Sequence, residues 1–346
     1  MKKKFVIIFL LFVFMTANRL SVAETLNAGG SAAAFLKNPI GARGIGLGGA
    51  FTALVDDGSA VFWNPAGLVN NTQREVLIDY SIDSFSGLQS DHMGRTYSMV
   101  SYSDPKILAN RGLGIAISAL YHQIDEIQRT DIFQGSIVRG DMFASTDLVL
   151  YLTLNKRMFV DLVAGGISVK VINSTLDDQS SFAGGVDVGT IIDISELFNH
   201  KNQPLLWLLW DVNLGFIGRT YTQRTWSDGP SESIPSNADL GVSFKVLKTA
   251  AYSLTLASTL SKVQNEPMNV RSGIEFSLDE LGANIERFAL RGGFGNLYIG
   301  VDEERINDNK FFSAGFGIVH KFVRLDYAFT KNTLRDAQLI SLGLRF

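Results

Sequence analysis

The chain has 346 residues, a net charge of −3, 19% charged residues and no cysteine. Lacking thiols, it has no disulfide framework, no thiolate metal site and no lipid-modified cysteine at a cleavage point. Lacking a basic surplus, it is not built for the many phosphate contacts of nucleic-acid binding.

The amino terminus reads as an address. Lys2, Lys3 and Lys4 form a positive region, Phe5 to Met15 is an apolar run, and Ser21-Val22-Ala23 is a small-x-small site. The run is shorter than the roughly 20 residues that cross a bilayer. Residues 1–23 are therefore expected to be a signal peptide cleaved near Ala23, with the exported chain beginning near Glu24. No later apolar run reaches the length of a membrane-spanning helix, which leaves a periplasmic, secreted or outer-membrane barrel protein.

Residues 24–72 are rich in Gly and Ala. Gly44, Gly46 and Gly49 formally satisfy G-x-G-x-x-G, but no βαβ unit surrounds them, so a dinucleotide site is not expected. Repeated glycine, including Gly48, instead lets a backbone pack closely, as a segment threaded into a confined lumen must. Asp56-Asp57-Gly58-Ser59 reads as a turn or helix cap. Pro65 pushes Asn64 out of the αR region, Ala66 follows, and Gly67 is able to take a positive φ.

From Arg74 the chain alternates. Leu148, Leu150, Leu152 and Leu154 share one face of a strand, as do Trp210, Val212, Leu214 and Phe216, and Val323, Leu325, Tyr327 and Phe329. Fourteen such segments are expected, over 73–82, 94–103, 111–124, 143–156, 159–172, 180–192, 206–219, 237–247, 251–261, 269–277, 286–294, 310–320, 321–330 and 336–346. An even number of strands near 11 residues long suits a transmembrane barrel. Short links alternate with long polar ones at 125–142, 220–236, 262–268, 301–309 and 331–335, which predicts periplasmic turns and outer loops. Residues 194–198 are expected to form a short periplasmic helix. Trp207, Trp210 and Trp226 are expected in interfacial girdles.

A soluble sheet also has a dry and a wet face. Here the second face carries Gly, Ala and Ser with single charges, Arg271, Glu275, Arg291, Arg324 and Asp326, rather than Lys, Glu and Thr in bulk. That suits a lumen. The last strand places Ile340, Leu342, Leu344 and Phe346 on one face and ends on Phe346, as outer-membrane barrels do at the closing strand read by the assembly machinery. The expected fold is all-β: a 14-stranded antiparallel transmembrane barrel over 73–346, with residues 24–72 as a lumen hatch. Its surroundings would be outer-membrane lipid and lipopolysaccharide.

Catalysis has no signature. His92, His122, His200 and His320 show no ligand spacing, and no G-x-S-x-G occurs. No enzyme activity, cofactor or metal is expected. The acidic runs Asp177-Asp178 and Asp302-Glu303-Glu304 read as solvated outer tips.

The run from Ala34 to Leu68, with Gly46-Leu47-Gly48-Gly49-Ala50-Phe51, Asp56-Asp57 and Trp63-Asn64-Pro65-Ala66-Gly67-Leu68, resembles the amino-terminal signature of the PorV/PorQ family, which belongs with the FadL-like outer-membrane proteins. The resemblance implies a 14-stranded barrel with an internal hatch carrying an Asn-Pro-Ala element, matched here by Asn64, Pro65 and Ala66. It implies transport of long-chain fatty acids or other hydrophobic compounds, which apolar outer loops would favour; here they are mixed, with an apolar patch of Ile127, Ile132, Phe133 and Ile137 and a charged stretch at 301–309. The alternative it implies is a scaffold or shuttle of a type IX secretion system, gripping partner proteins with its outer loops. In the transport reading, Gly44 to Gly49 and Asn64 to Gly67 carry the motion of the hatch.

Overall fold

Strands with one apolar and one small or polar face leave unpaired edges unless the sheet closes on itself. The structure, a computed structural model, describes residues 32–85, 95–108, 112–133, 136–158, 162–197, 209–229, 231–282, 284–299, 310–332 and 335–346. The expected signal peptide, residues 24–31, His92, His200, Trp207 and Asp302 to Glu304 lie outside the described residues.

Sixteen strands are described: β1 (Glu75–Phe85), β2 (Arg95–Leu108), β3 (Leu113–Phe133), β4 (Ser136–Met158), β5 (Val163–Leu176), β6 (Gln179–Asp193), β7 (Trp210–Tyr221), β8 (Gln223–Trp226), β9 (Ser231–Ser233), β10 (Asn237–Lys248), β11 (Tyr252–Val263), β12 (Met268–Gly282), β13 (Ile285–Ile299), β14 (Phe311–His320), β15 (Val323–Asn332) and β16 (Arg335–Arg345). The short pair β8–β9 stands between β7 and β10. The other fourteen each pair antiparallel with their neighbours, and the ring closes where β1 meets β16, Glu75 opposite Arg345 through Phe85 opposite Arg335. The terminal strand is thus the closing strand that its alternation predicts.

Outward faces meet as an apolar belt. Leu342 lies opposite Ile78 on one side and Leu325 on the other, and Ile340 opposite Tyr80 and Tyr327. The inward partners on the same strands are Asp79, Ser341 and Asp326, all buried.

Two expectations are corrected. Residues 125–142 are not a loop: β3 and β4 continue past Ile124 and Ser145, with Ile127 opposite Phe143 and Ile132 opposite Ile137. A two-stranded ribbon standing in water needs no apolar face, so its polar composition does not mark it as strand. The exposed connection at Asp177 and Asp178, by contrast, is the solvated tip expected, closed as a two-residue turn in which Asp177 adopts φ 57°. Finally, the 210–216 alternation breaks. A bulge opposite Ser243 and Lys245, with Asp211 at φ 46°, buries Val212, whose N–H donates to Ser195 Oγ at 2.9 Å. Ser195 belongs to the helical turn Ile194–Leu197, in the stretch expected to hold one.

Candidate functional site

The lumen is occupied by the chain's own residues from Ala32 to Asn71. Four single turns, Ala34–Lys37, Ala42–Gly46, Ala60–Trp63 and Pro65–Asn70, stack against inward faces of the barrel. Local chemistry sets them. Asp57 Oδ1 accepts from Ser59 N at 3.0 Å ahead of the third turn. Asn64, held extended at φ −168° by the proline after it, caps the fourth: its Oδ1 accepts from Ala66 N at 3.2 Å, with Pro65 at the first position.

The wall is glycine where the segment touches it. A Cβ at Gly189 of β6 would lie 2.1 Å from Asn64 Oδ1, and at Gly166 of β5, 2.4 Å from Pro65 C. At Gly215 it would lie 2.5 Å from Thr52 O, at Gly273 2.3 Å from Leu47 O, and at Gly293 2.3 Å from Gly48 N. Backbone therefore packs on backbone around β5, β6, β7, β12 and β13. In the sequence these wall glycines read only as small lumen residues; the complementary half of the contact is not visible without the register.

The segment's own glycines divide. Gly48, at φ 67°, would collide with the Phe294 backbone at 2.5 Å. Gly44 makes room for the Trp63 indole at 2.8 Å and Gly49 for Arg271 Cδ at 3.0 Å, whereas Gly46 meets Arg291 at an ordinary 3.4 Å. Gly67 does not take a positive φ. It lies inside the Pro65–Asn70 turn, and what it supplies is space, since a Cβ would sit 2.4 Å from Val55 Cγ1.

Asn64 is the main neutral anchor. Its Nδ2 donates to Thr52 O at 2.9 Å and to Thr190 O at 3.1 Å, joining two parts of the segment to β6. Elsewhere Ser341 Oγ accepts from Ala42 N at 2.7 Å, and Ser313 Oγ from Gly48 N at 3.0 Å. Against β2 and β3, Phe35 stacks on His122, centroids 5.4 Å apart, and Tyr97 Oη donates to Asn38 O at 2.7 Å.

Four of the five expected lumen charges converge. Glu275 accepts from Arg291 Nε at 2.6 Å and from Arg43 Nε at 3.2 Å; Arg291 Nη1 donates to Asp326 at 2.6 Å. Arg43 also pairs with Asp56, and Arg324 Nη1 lies 2.9 Å from Asp57 Oδ2 and 3.9 Å from Glu75 Oε1. Segment and wall thus share one buried ion network, in which removing a single member strands a charge at a cost of about 3–5 kcal/mol. Sequence reasoning missed Arg43, Asp57 and Glu75, and also the buried pairs Lys170–Asp187 at 2.7 Å and Arg219–Asp239 at 2.8 Å. A lone charge inside an apolar alternation, such as Lys170 between Val169 and Val171, is the signal that could have found the wall members.

Arg271 stands apart. It lines a cavity of about 50 Å³ between the segment and strands β7, β10, β11 and β12. The apolar lining includes Leu36, Phe62, Trp63, Tyr221, Ile234 and Val263, and the polar lining Lys37, Arg219, Asn237 and Asp239. Lys37 pairs with Glu266 and Arg219 with Asp239. Among the described residues the Arg271 guanidinium has no hydrogen-bond partner.

Two aromatic residues complete the placement. Phe346 N donates to Arg74 O at 3.0 Å at the seam, with its ring exposed. Trp226 sits on the β8–β9 hairpin, its Nε1 donating to Glu232 at 3.2 Å under the Arg224 guanidinium.

No family model matches the chain, and no curated protein does. Solved structures do. The toluene transporter TbuX of Ralstonia pickettii superposes with a TM-score of 0.56 at 13% identity, over 88% of this chain and 98% of that one. The toluene transporter TodX of Pseudomonas putida gives 0.54 at 9% identity, over 87% and 96%. A FadL homologue of Pseudomonas aeruginosa gives 0.50 at 11% identity, over 89% and 98%. This chain shares their fold.

Proposed function

We propose that the protein is an outer-membrane channel for hydrophobic molecules, exported by its signal peptide, in which residues 24–72 are a hatch that must shift for a ligand to pass. The observation that carries this is the Arg271 cavity between the Ala32–Asn71 segment and the barrel wall. Its volume of about 50 Å³ is well below the roughly 150 Å³ that admits benzene, so an occupant enters only with movement of the segment. The shared fold with toluene transporters supports a hydrophobic cargo.

A guanidinium beside Phe62, Trp63 and Val263 that has Asp239 as a nearby countercharge but no hydrogen bond among the described residues favours an amphiphile with a carboxylate head, of the long-chain fatty-acid type, over a neutral hydrocarbon. A hydrogen bond to a charged group contributes about 1.5–3 kcal/mol, so Arg271→Met should lower oleate uptake roughly ten- to hundredfold and leave toluene entry unchanged. Uptake of labelled oleate by cells with and without the protein is the test. Equal uptake in the deletion sinks the proposal.

A second reading, a scaffold of a type IX secretion system, is favoured by one feature. The tip of the β3–β4 ribbon exposes Ile132, Phe133 and Ile137 at 80%, 66% and 75%, apolar surface of the sort that partner proteins cover. Capture of secretion components by the wild-type chain, lost in Ile132→Asp/Ile137→Asp with oleate uptake unaffected by either, would select this reading.

A further inference from the structure

The turn Ala60–Trp63 ends against the wall rather than on itself. So short a turn leaves its last carbonyls without helical donors. Arg219 of β7 supplies them: Nη2 donates to Phe62 O at 2.8 Å and Trp63 O at 3.3 Å. Its Nη1 donates to Asp239 at 2.8 Å, and the other oxygen of Asp239 accepts from Ser261 Oγ at 2.5 Å. The guanidinium lies 5.8 Å from the Phe62 ring centroid. The next residue along is Asn64, the anchor on Thr52 and Thr190. Arg219 therefore touches the hatch just before its anchor while also lining the cavity beside Arg271.

Charge decides what an occupant does there. Arg219 and Arg271 bring two positive charges to the cavity and Asp239 one negative, while Lys37 is matched by Glu266. A carboxylate in that space is a stronger acceptor for guanidinium donors than two neutral peptide carbonyls, because charge-assisted hydrogen bonds are about twice as strong. A neutral molecule of the same shape offers no such competition.

We propose that Arg219 is a positioning residue that couples a carboxylate in this cavity to release of the hatch. Its guanidinium swings from the Phe62 and Trp63 carbonyls to the ligand, the turn Ala60–Trp63 loses its cap, and Asn64 loosens behind it. This rests on the channel reading above.

Hydrogen exchange on the full chain in neutral detergent tests it, with oleate and oleyl alcohol as probes. The amides to follow are those of Trp63, Asn64 and Gly67, which donate to Ser59 O, Ala60 O and Asn64 O. Oleate should speed their exchange about tenfold, the weight of one cap, and oleyl alcohol should not. Arg219→Lys keeps the charge but cannot serve two carbonyls and a carboxylate in one plane; Arg219→Gln keeps the hydrogen bonding without the charge. Arg219→Lys should exchange fast without ligand, Arg219→Gln should stay near the wild-type rate, and neither should gain from oleate, while a heat-modifiable gel shift reports an intact barrel. Oleate that binds the wild type without accelerating exchange overturns the coupling alone. An oleate response that survives in both variants overturns the role of Arg219. Absence of oleate binding to the wild type overturns the channel reading, and the coupling with it.

Discussion

Gly189→Ala should detach the Ala32–Asn71 segment from the wall while leaving the barrel standing. The added Cβ would lie 2.1 Å from Asn64 Oδ1 and 2.8 Å from Pro65 Cδ. To reach van der Waals contact, Asn64 must retreat by about 1 Å or more. Its Nδ2 contacts at 2.9 and 3.1 Å and its Oδ1 contact at 3.2 Å then pass the roughly 3.5 Å limit of a useful hydrogen bond. Three lost bonds at about 1 kcal/mol each sum to about 3 kcal/mol, or roughly a hundredfold in the docking equilibrium. Hydrogen exchange over residues 60–70 measures this, and the gel shift of the closed barrel serves as control. The outward neighbour Val188→Ala should change neither. Asn64→Gly removes the bonds and the closest clash and leaves only the Pro65 ring contact at 2.8 Å, so Gly189→Ala should cost clearly less on that background than alone; the pair is non-additive. Wild-type exchange in Gly189→Ala, or full additivity with Asn64→Gly, would refute the wall-glycine argument.

Three further outcomes are expected. Lys170→Met leaves the buried Asp187 carboxylate without its 2.7 Å partner and should destabilise the barrel by about 3–5 kcal/mol in a denaturant-monitored gel shift, most of which Lys170→Met/Asp187→Leu restores; equal loss in the double variant contradicts this. Deleting Phe346, an exposed ring bonded only through its backbone to Arg74, should cut the yield of assembled barrel while the assembled fraction keeps its wild-type melting temperature. The hydrogen bond from Arg224 holds the Glu232 carboxyl on the outer β8–β9 hairpin below the ordinary range. A depressed folded-state pKa contributes hairpin stability above the unfolded value of about 4.3 and loses it as pH falls through the folded one; Trp226 fluorescence should therefore titrate with a midpoint below about 4.3, and a midpoint above it contradicts the pairing.

The barrel was legible because its rule is local. Period two with an apolar face marks any strand that lipid touches, and it located all fourteen wall strands to within a few residues except at the outer ends of β3 and β4. There, past Ile124 and Ser145, no lipid imposes the rule, and the ribbon is held by backbone pairing that composition does not report. The site was legible only in halves. Glu275, Arg291, Arg324 and Asp326 stood out as charges on a small-residue face, yet their partners Arg43 and Asp57 lie more than 200 residues away in a segment without periodicity. Likewise Asn64 and Gly48 were visible as motif residues, but Gly189 and Gly293, against which they fit, were only two of many small lumen positions. Long-range contacts in a lumen follow from barrel register and closure, which no short window of sequence contains.

The central claim is that the segment from Ala32 to Asn71 seals the barrel and must move for a hydrophobic ligand to pass. The chain has no cysteine, and Thr52 of the segment meets Thr259 of β11 with their Oγ1 atoms 3.4 Å apart, close enough for a disulfide after a small approach. Labelled-oleate uptake in cells carrying Thr52→Cys/Thr259→Cys is the most direct measurement. Uptake should stop when the tether is oxidised and return on reduction; undiminished uptake through a fully tethered barrel would contradict the account.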